Sequence, residues 1–371
     1  MSERVGKSRL LLLAVLAAAV AALVATSVGS ASSTATPPNP IAKVLGQVKG
    51  MKVQARESKL AQLAAQEGQV SVYSSLSKLV VDPLTKAWAA AYPDVKLNFY
   101  RASSEDVVAR FLSESSAGTH GADVVETNGS TMLIFQHKKN LLVPYRGSPF
   151  AKQITKTYRY DTWTADRVEK FIVAWNTKLV SDPPKSFQDL ADPKWKGKLS
   201  MEPTDNDWYA GIYQYFTQVA KPKMTGAAVD AMFKKIAANS QLINGHTNQA
   251  TALAAGQVQV VVTGHAQAME QLQAKKAPIA FSPFVTPVLE RPQGIGIPYL
   301  APHPAAALLF YDWLLSGKGQ KVLQQNGVEP ANPYFPDNAF SSNPKTYEMD
   351  LRSIVSHWAE SEKHYSDIVG G

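Results

Sequence analysis

Short apolar alternations followed by helical periodicity recur along most of the chain. Val70 and Val72 alternate with polar residues, and apolar positions three and four residues apart then follow from Leu84 onward. The same order returns at 95–99 and again at 122–126, each time with a helical pattern after the strand. Strands that alternate with helices predict a parallel sheet covered on both faces, so we expect an α/β fold.

A second series of the same kind begins after a crossover strand predicted at 168–175. Further strands are expected at 198–201 and 258–262, and proline and glycine become frequent near 289–304. We therefore expect two lobes of similar construction. The predicted division of the chain is a signal peptide at 1–31, a tether and N-terminal helix at 32–67, the first part of lobe 1 at 68–170, lobe 2 at 171–287, and a return to lobe 1 with C-terminal helices at 288–371.

The N-terminus has the pattern of an export signal. A basic start precedes an apolar run from Leu10 to Ala25, and Gly29 and Ala31 are small residues suited to a cleavage site. The run is shorter than the roughly 20 residues that a membrane-spanning helix needs. We expect an exported, periplasmic protein; retention of this segment as an uncleaved anchor is the alternative.

Composition narrows the chemistry. The chain has 371 residues, 45% of them hydrophobic, which is enough for two ordinary cores. It has no cysteine, which excludes disulfides, thiol nucleophiles, thiolate metal sites and a lipid-anchored cysteine. The net charge of +8 is scattered without a basic block, so we expect a solvated surface and no nucleic-acid partner.

Polar side chains follow several predicted strands where a helix is about to begin. Ligands of parallel α/β folds bind beyond these strand ends, where helix N-termini present unpaired N–H groups. The predicted ligand-binding residues are Tyr73, Ser74, Ser75, Asn128, Asp205, Trp208, Thr247 and His265.

Structural alternatives accompany several of these positions. Ser74 or Ser77 is also a typical helix cap, Asp82-Pro83 has the pattern of a helix start, and Trp208 fits the buried face of its helix. Thr263 is predicted to begin a helix, in which His265 would be a local hydrogen-bond partner.

No catalytic or metal-binding signature is present. The chain lacks G-x-x-x-x-G-K-[ST], G-x-S-x-G and H-E-x-x-H motifs, and its seven histidines are dispersed. We expect no catalytic residue, no metal site and no cofactor. An exported enzyme that uses Glu126, Asp205 or His265 as acid or base is the alternative from a different class.

Several longer stretches resemble the extracellular solute-binding proteins of bacterial ABC importers, in the group that includes ferric-iron and polyamine binders. The similar stretches are "LAQLAAQEGQVSVYSSL" from Leu60, "ADVVE" from Ala122, "AWNTKLV" from Ala174, "PKSFQDLADPKWKGKLSMEPT" from Pro184, "ALAAGQVQVVVT" from Ala252 and "GIGIPYLAPHPAAALLFYDWLLSGKGQKVLQQNGVEPANP" from Gly294. The resemblance implies a two-lobe, type II periplasmic-binding fold with a ligand cleft between the lobes. It also implies a monomeric, non-enzymatic protein that delivers a small solute to permease subunits.

The resemblance leaves the solute open. Ferric-iron members carry two neighbouring tyrosines just after the strand predicted here at 258–262, where this chain has Gly264 and His265, so an iron site would depend on Tyr73 and Tyr209. The hydroxyl-rich helix starts favour an anionic or zwitterionic organic solute, which is our leading prediction.

Two other hypotheses remain open, one about the ligand and one about the class of protein. A polyamine would use Glu126, Asp205, Asp207 and Trp208 through ion pairing and cation–π contact. A basic module that binds the cell envelope or a receptor is the third hypothesis.

Overall fold

The computed structural model describes residues 39–335 and 344–370. The predicted signal peptide at 1–31 and most of the predicted tether lie outside these residues. Within them, no helix has the length and apolar character that a membrane crossing requires.

The described strands form a mixed, 11-stranded sheet. They are β1 (Gln69–Ser74), β2 (Lys96–Arg101), β3 (Val124–Asn128), β4 (Trp163–Asn176), β5 (Leu199–Met201), β6 (Ser240–Leu242), β7 (Val260–His265), β8 (Ile279–Ala280), β9 (Val288–Gly296), β10 (Glu329–Pro330) and β11 (Thr346–Glu348). The main order is β2-β1-β3-β9-β4-β7-β5-β6, with β8 and β10 paired to β4 and β11 paired to β9.

Two groups of parallel strands lie at the two ends of this sheet. The first group is β2-β1-β3 and the second is β7-β5-β6, and within each group neighbouring strands are parallel. The long strands β4 and β9 run antiparallel to each other between the groups, and β4 also pairs with β7. The same two strands therefore connect both parallel groups.

Helices cover the strands. They are α1 (Pro40–Gln47), α2 (Val53–Glu67), α3 (Lys78–Ala91), α4 (Ser104–Ser116), α5 (Gly129–Gln136), α6 (Phe187–Leu190), α7 (Asn206–Gln214), α8 (Gly226–Ala238), α9 (His246–Ala254), α10 (Ala266–Ala274), α11 (Pro304–Leu315), α12 (Gly317–Gln325), α13 (Leu351–Ser356) and α14 (Trp358–Val369). Short 3₁₀ turns lie at Ala151–Gln153, Lys156–Tyr158 and Pro193–Trp195, and a π-helical turn at Tyr215–Val219 follows α7.

Two predicted helix starts are wrong. Helix α3 begins at Lys78, because Ser77 Oγ accepts a hydrogen bond from the Leu79 N–H, and Pro83 lies inside the helix. Strand β7 extends to His265 because it pairs with β4 over Phe171, so the next helix begins at Ala266 and not at Thr263. His265 therefore lies at a strand end.

The C-terminal helices contact elements beside both strand groups. Helix α13 packs against α5, which follows β3, and α14 packs against α7 and α8 of the second group. Tyr365 of α14 is buried and donates a hydrogen bond from its hydroxyl to the Glu202 carbonyl oxygen at 2.6 Å. The end of the chain is thus part of the packing around β5.

Candidate functional site

The two long strands carry charged side chains at buried positions. Arg167 and Glu169 lie on β4, and Arg291 and Gln293 lie on β9. The strand register pairs Glu169 with Arg291 and Arg167 with Gln293. Burying a charge is costly unless partners compensate it. Core packing alone therefore does not explain this stretch.

Arg167 is compensated by two carboxylates. Its Nη1 forms an ion pair with Glu126 of β3 and a second with Asp166 at 3.2 Å. Glu126 also accepts a hydrogen bond from Ser74 Oγ at 2.5 Å. Burial raises the pKa of Asp166 to about 7 although the Arg167 charge opposes this rise. This part of the site belongs to the first strand group and β4.

Arg291 connects to both strand groups through one carboxylate. Its Nη1 donates to both oxygens of Asp207, at 2.9 and 2.8 Å. Asp207 lies on α7, and it accepts a hydrogen bond at 2.6 Å from Ser130 Oγ on α5. Because α5 follows β3 and α7 follows β5, Asp207 links elements of the two groups. The guanidinium also lies over the ring of Phe171, 4.7 Å from its centroid.

Two stacked imidazoles complete the site. The rings of His246 and His265 have centroids 3.4 Å apart and planes inclined by 17°. His246 Nε2 lies 3.3 Å from Asp205 Oδ1, and His265 Nδ1 lies 3.6 Å from Glu169 Oε2.

The two imidazoles have opposite pKa shifts. Burial by itself would lower the pKa of His246, but the Asp205 carboxylate raises it to about 9. Burial lowers the pKa of His265 well below its usual value, and the His246 charge lowers it further. Two like charges about 4 Å apart repel by about 4 kcal/mol at an effective dielectric constant of 20. One cation and one neutral ring is therefore the favoured state.

A further carboxylate supports the same loops. Glu202 accepts hydrogen bonds from the backbone N–H of Thr204 at 2.5 Å and of Gly245 at 3.2 Å, so it ties the end of β5 to the start of α9. Burial raises its pKa to about 7, and the neighbouring Asp205 charge adds to the rise. We name the whole set the junction cluster. Its members are Glu126, Asp166, Arg167, Glu169, Glu202, Asp205, Asp207, His246, His265 and Arg291.

Several buried polar atoms in and beside the junction cluster have no hydrogen-bond partner among the described residues. The acceptors are Asp166 Oδ1, Asp205 Oδ2 and His265 Nε2, and the donors are Asn206 Nδ2, Gln267 Nε2, Arg291 Nε and Gln293 Nε2. A buried polar atom without a partner costs about 1–3 kcal/mol. Such a concentration suits a place where a polar molecule supplies the missing partners.

Three predicted site residues belong to this site. Asp205 and His265 are members of the junction cluster, and Ser74 donates its hydroxyl to Glu126. Two others lie next to the site and form hydrogen bonds with the backbone. Ser75 donates its backbone N–H to the Glu126 carbonyl oxygen, and Asn128 accepts from the Thr131 N–H as the N-cap of α5.

The remaining three predicted residues have other contacts. The Tyr73 hydroxyl donates to Glu114 at 2.8 Å, and burial with this carboxylate raises the Tyr73 pKa to about 12. Tyr73 alternates with Ser74 along β1 and therefore lies on the opposite face. Trp208 is 1% exposed and packs against the rings of Phe187 and Phe233. Thr247 is exposed on α9. The structure thus brings none of these three to the junction cluster.

The most important residues of the cluster were absent from the predicted set. Arg167, Glu169 and Arg291 lie in strands, whereas the prediction considered only loops at strand ends. A signal was available, because "TADRVEKFIVAW" places charged residues in a run that is otherwise apolar. His246 and His265 are separated in sequence and form no local motif, and their rings meet because α9 packs against β7.

The two tyrosines considered for an iron site bind carboxylates in this structure. Tyr73 donates to Glu114 and Tyr209 donates to Asp230 at 2.7 Å. Across residues 39–335 and 344–370, no three or more His, Asp or Glu side chains are grouped so that they could hold a metal ion.

The fold and the polar junction between two strand groups define a ligand-binding protein of the periplasmic type, and comparison with known proteins agrees. A model of the bacterial extracellular solute-binding protein family matches residues 83–349. The chain belongs to this family. The predicted type II, two-lobe fold and the predicted role as solute-binding component of an ABC importer are confirmed.

The relatives are transport proteins. The chain is 24% identical over 319 residues to an Fe(3+)-binding periplasmic protein of Serratia marcescens, covering 82% of this chain and 90% of the relative. The structure is similar to that of the periplasmic binding protein AfuA from Actinobacillus pleuropneumoniae with exogenous fructose-6-phosphate bound, with a TM-score of 0.71, 21% identity, and coverage of 82% and 99%.

A second solved structure with the same fold is named for a different ligand, ferric ion. The apo ferric ion-binding protein A of Pasteurella haemolytica aligns with a TM-score of 0.66 and 18% identity, over 81% of this chain and 98% of that one. At these identities the solved structures establish the fold, and the family is established by the model that matches residues 83–349. The solute has to be argued from this chain's own residues.

Proposed function

We propose that the protein captures a small hydroxylated organic solute with an anionic or zwitterionic group at the junction cluster and passes it unchanged to permease subunits. The observation that carries this proposal is the set of buried, unpartnered donors and acceptors around Arg291 and the imidazole pair. A solute with only one kind of hydrogen-bonding group would leave part of this set unpaired.

The arrangement of donors and acceptors supports a solute with two unlike ends. The donors Arg291 Nε, Asn206 Nδ2 and Gln293 Nε2 fit an anionic group. Asp205 Oδ2, which has no partner, fits a hydroxyl or an ammonium group. Carboxylates outnumber cations in the junction cluster, which favours a solute that also brings hydrogen-bond donors.

Naked ferric iron is the less favoured cargo. Three relatives are named for iron, but the tyrosine hydroxyls considered for this role are bound to Glu114 and Asp230. A polyamine fits the carboxylates but leaves the unpartnered N–H donors without acceptors. The bound phosphosugar of the AfuA structure has the combination of hydroxyls and anion that this site favours.

The finer parts of the role are proposals as well. We infer export through residues 1–31, whose basic start and apolar run have the pattern of a signal peptide. We infer a monomer that binds no nucleic acid and catalyses no reaction. The scattered charge and the relatives' transport role support this inference.

Calorimetric titration and thermal unfolding of the chain without residues 1–31 test the proposal. The panel is fructose 6-phosphate, L-serine, spermidine, ferric citrate and sulfate, with mass spectrometry of any co-purifying compound. We expect a hydroxylated anion or zwitterion to stabilise the fold by about 2.7 kcal/mol at 100 times its Kd. The recovered ligand should have an unchanged mass. Stabilisation by ferric citrate alone, with iron retained on the protein, would contradict the proposal.

A further inference from the structure

The hydrogen-bond geometry of His246 fixes its charge. Its Nδ1 lies 2.9 Å from the carbonyl oxygen of Thr263, which can only accept, so Nδ1 must carry a proton. Its Nε2 lies 3.3 Å from Asp205 Oδ1, a carboxylate oxygen. An ionised carboxylate also accepts, so Nε2 carries a proton too, and the ring is an imidazolium.

His265 has the opposite surroundings. Its Nδ1 faces Glu169 Oε2 at 3.6 Å, and its Nε2 is buried without a partner. The ring stacks on the His246 imidazolium, and the charges of Arg291 and Arg167 also act on it. Adding a second positive charge at this place is therefore unfavourable. A neutral ring with its proton on Nδ1, towards Glu169, leaves a lone pair on Nε2.

We propose that His265 is a specificity-determining residue whose unprotonated Nε2 accepts a hydrogen bond from a hydroxyl or ammonium group of the solute, and that His246 is a positioning residue that holds His265 neutral. The ligand half of this inference rests on the proposed function. The charge state of the two rings does not, because it follows from contacts within the protein.

Asp205 strengthens the inference about the solute. Its Oδ1 contacts His246, while its Oδ2 is buried and has no partner. The two unpartnered acceptors, Asp205 Oδ2 and His265 Nε2, therefore belong to the two side chains that contact the His246 ring. Neighbouring hydroxyls or one ammonium group of the solute would satisfy both.

The titratable groups that face the two imidazoles affect the charge of each ring differently. Asp205 and Glu202 favour the charge on His246, while Arg291 opposes it. His246, Arg291 and Arg167 oppose a charge on His265. Glu169 faces His265 and is itself buried on β4. Burial and the His246 charge determine the outcome for His265.

Long-range ¹H–¹⁵N NMR of the histidine rings tests the charge state in the chain without residues 1–31 and without added solute. At pH 7 we expect both His246 nitrogens to be protonated and His265 Nε2 to be unprotonated. The His246→Gln variant should raise the titration midpoint of His265 by at least one pH unit. His357→Gln, which changes an exposed histidine of α13's C-terminal end, should leave that midpoint unchanged. Protonation of His265 Nε2 at pH 7 would overturn the inference.

Binding tests the ligand half with fructose 6-phosphate and L-serine as probes. His265→Leu should lower the affinity for whichever probe binds by at least tenfold. The affinity of His265→Gln, whose amide oxygen can accept a hydrogen bond, should stay within about threefold of that of wild type. Equal affinity of His265→Leu and wild type would contradict a role for Nε2. If neither probe binds wild type although the NMR result is as expected, the proposed function and the ligand half fail while the imidazole pair stands.

Discussion

The ion pair of Arg56 on α2 and the junction cluster both contain a buried arginine that contacts carboxylates. They differ in whether buried polar atoms remain without a hydrogen-bond partner. Arg56 donates to Asp312 at 3.3 Å and to the Tyr145 hydroxyl at 2.5 Å, and that hydroxyl donates to Asp312 at 3.0 Å. None of these three side chains has a buried polar atom without a partner, whereas Arg291 Nε and Asp205 Oδ2 in the junction cluster do.

The difference separates a structural ion pair from a binding site. The polar atoms around Arg56 satisfy one another with hydrogen bonds, so this ion pair helps to hold α2 against α11 without a ligand. A cavity of about 430 Å³ opens beside Arg56, with Leu60 and Trp313 in its wall. Its size does not make it the solute site, because the polar groups of the Arg56 pair are already satisfied. We propose the junction cluster as the solute site on the ground of its unpartnered atoms and not on the ground of volume.

The largest expected effect comes from removing the cation that compensates two carboxylates. Arg167→Met should lower the free energy of unfolding by about 3–5 kcal/mol, because Glu126 and Asp166 stay buried without their partner. Urea denaturation measures the loss. The matched control is Arg110→Met, which breaks a partly exposed pair with Glu114 and should cost about 1 kcal/mol or less. Equal losses would show that the junction is solvated in solution.

Arg56→Met tests the other side of the comparison. We expect a loss of about 3 kcal/mol in unfolding free energy, since Asp312 loses its buried partner. The affinity for the solute should be unchanged in calorimetric titration, because α2 contributes nothing to the junction cluster. A clear change in affinity would mean that the two clusters are coupled.

The imidazole pair predicts a pH dependence of stability. The pKa of His246 is raised to about 9 in the folded protein, against about 6.5 in the unfolded chain. Its contribution is fully present below pH 6.5 and is lost as the pH rises to about 9, by up to about 3 kcal/mol. Denaturation of wild type and His246→Gln over this range measures the contribution. A difference between the two proteins that does not change with pH would refute the assignment of the charge.

Gln293→Met should separate stability from binding. The Nε2 of Gln293 is buried without a partner, so replacing the amide by a thioether of similar size should leave stability unchanged or raise it by about 1 kcal/mol. Affinity for the solute should fall by about 1–1.5 kcal/mol, which is roughly tenfold. Unfolding and titration of the same preparation give both values. A stability loss with normal binding would place Gln293 among the structural residues.

The smallest effect is expected at Tyr73. Tyr73→Phe removes the hydrogen bond to Glu114 and should cost about 0.5–1.5 kcal/mol of stability. Binding should not change, because this hydroxyl lies on the face of β1 opposite to Ser74. If Tyr73→Phe binds any compound of the panel more weakly than wild type, ferric citrate included, Tyr73 contributes to the ligand site.

Some of this protein could be predicted from local pattern. The alternation at Val70 and Val72, and the helical spacing that follows, predicted β1 and the helix after it, because side-chain burial repeats every two residues in a strand and about every 3.6 in a helix. The order of strands and helices predicted the α/β class. The position of Asp205 and His265 at strand ends was sufficient to nominate them for the site.

Only the tertiary structure decided which polar residues meet. Arg167 and Arg291 are far apart in sequence, and the register of β4 with β9 brings them together. Their carboxylate partners Glu126 and Asp207 come from β3 and α7. Whether Tyr73 or Ser74 faces the junction depends on one residue of alternation, which the sequence leaves undecided when both faces of a strand are buried. Local periodicity fixes the elements, whereas long-range pairing fixes the charges each side chain encounters and therefore its role.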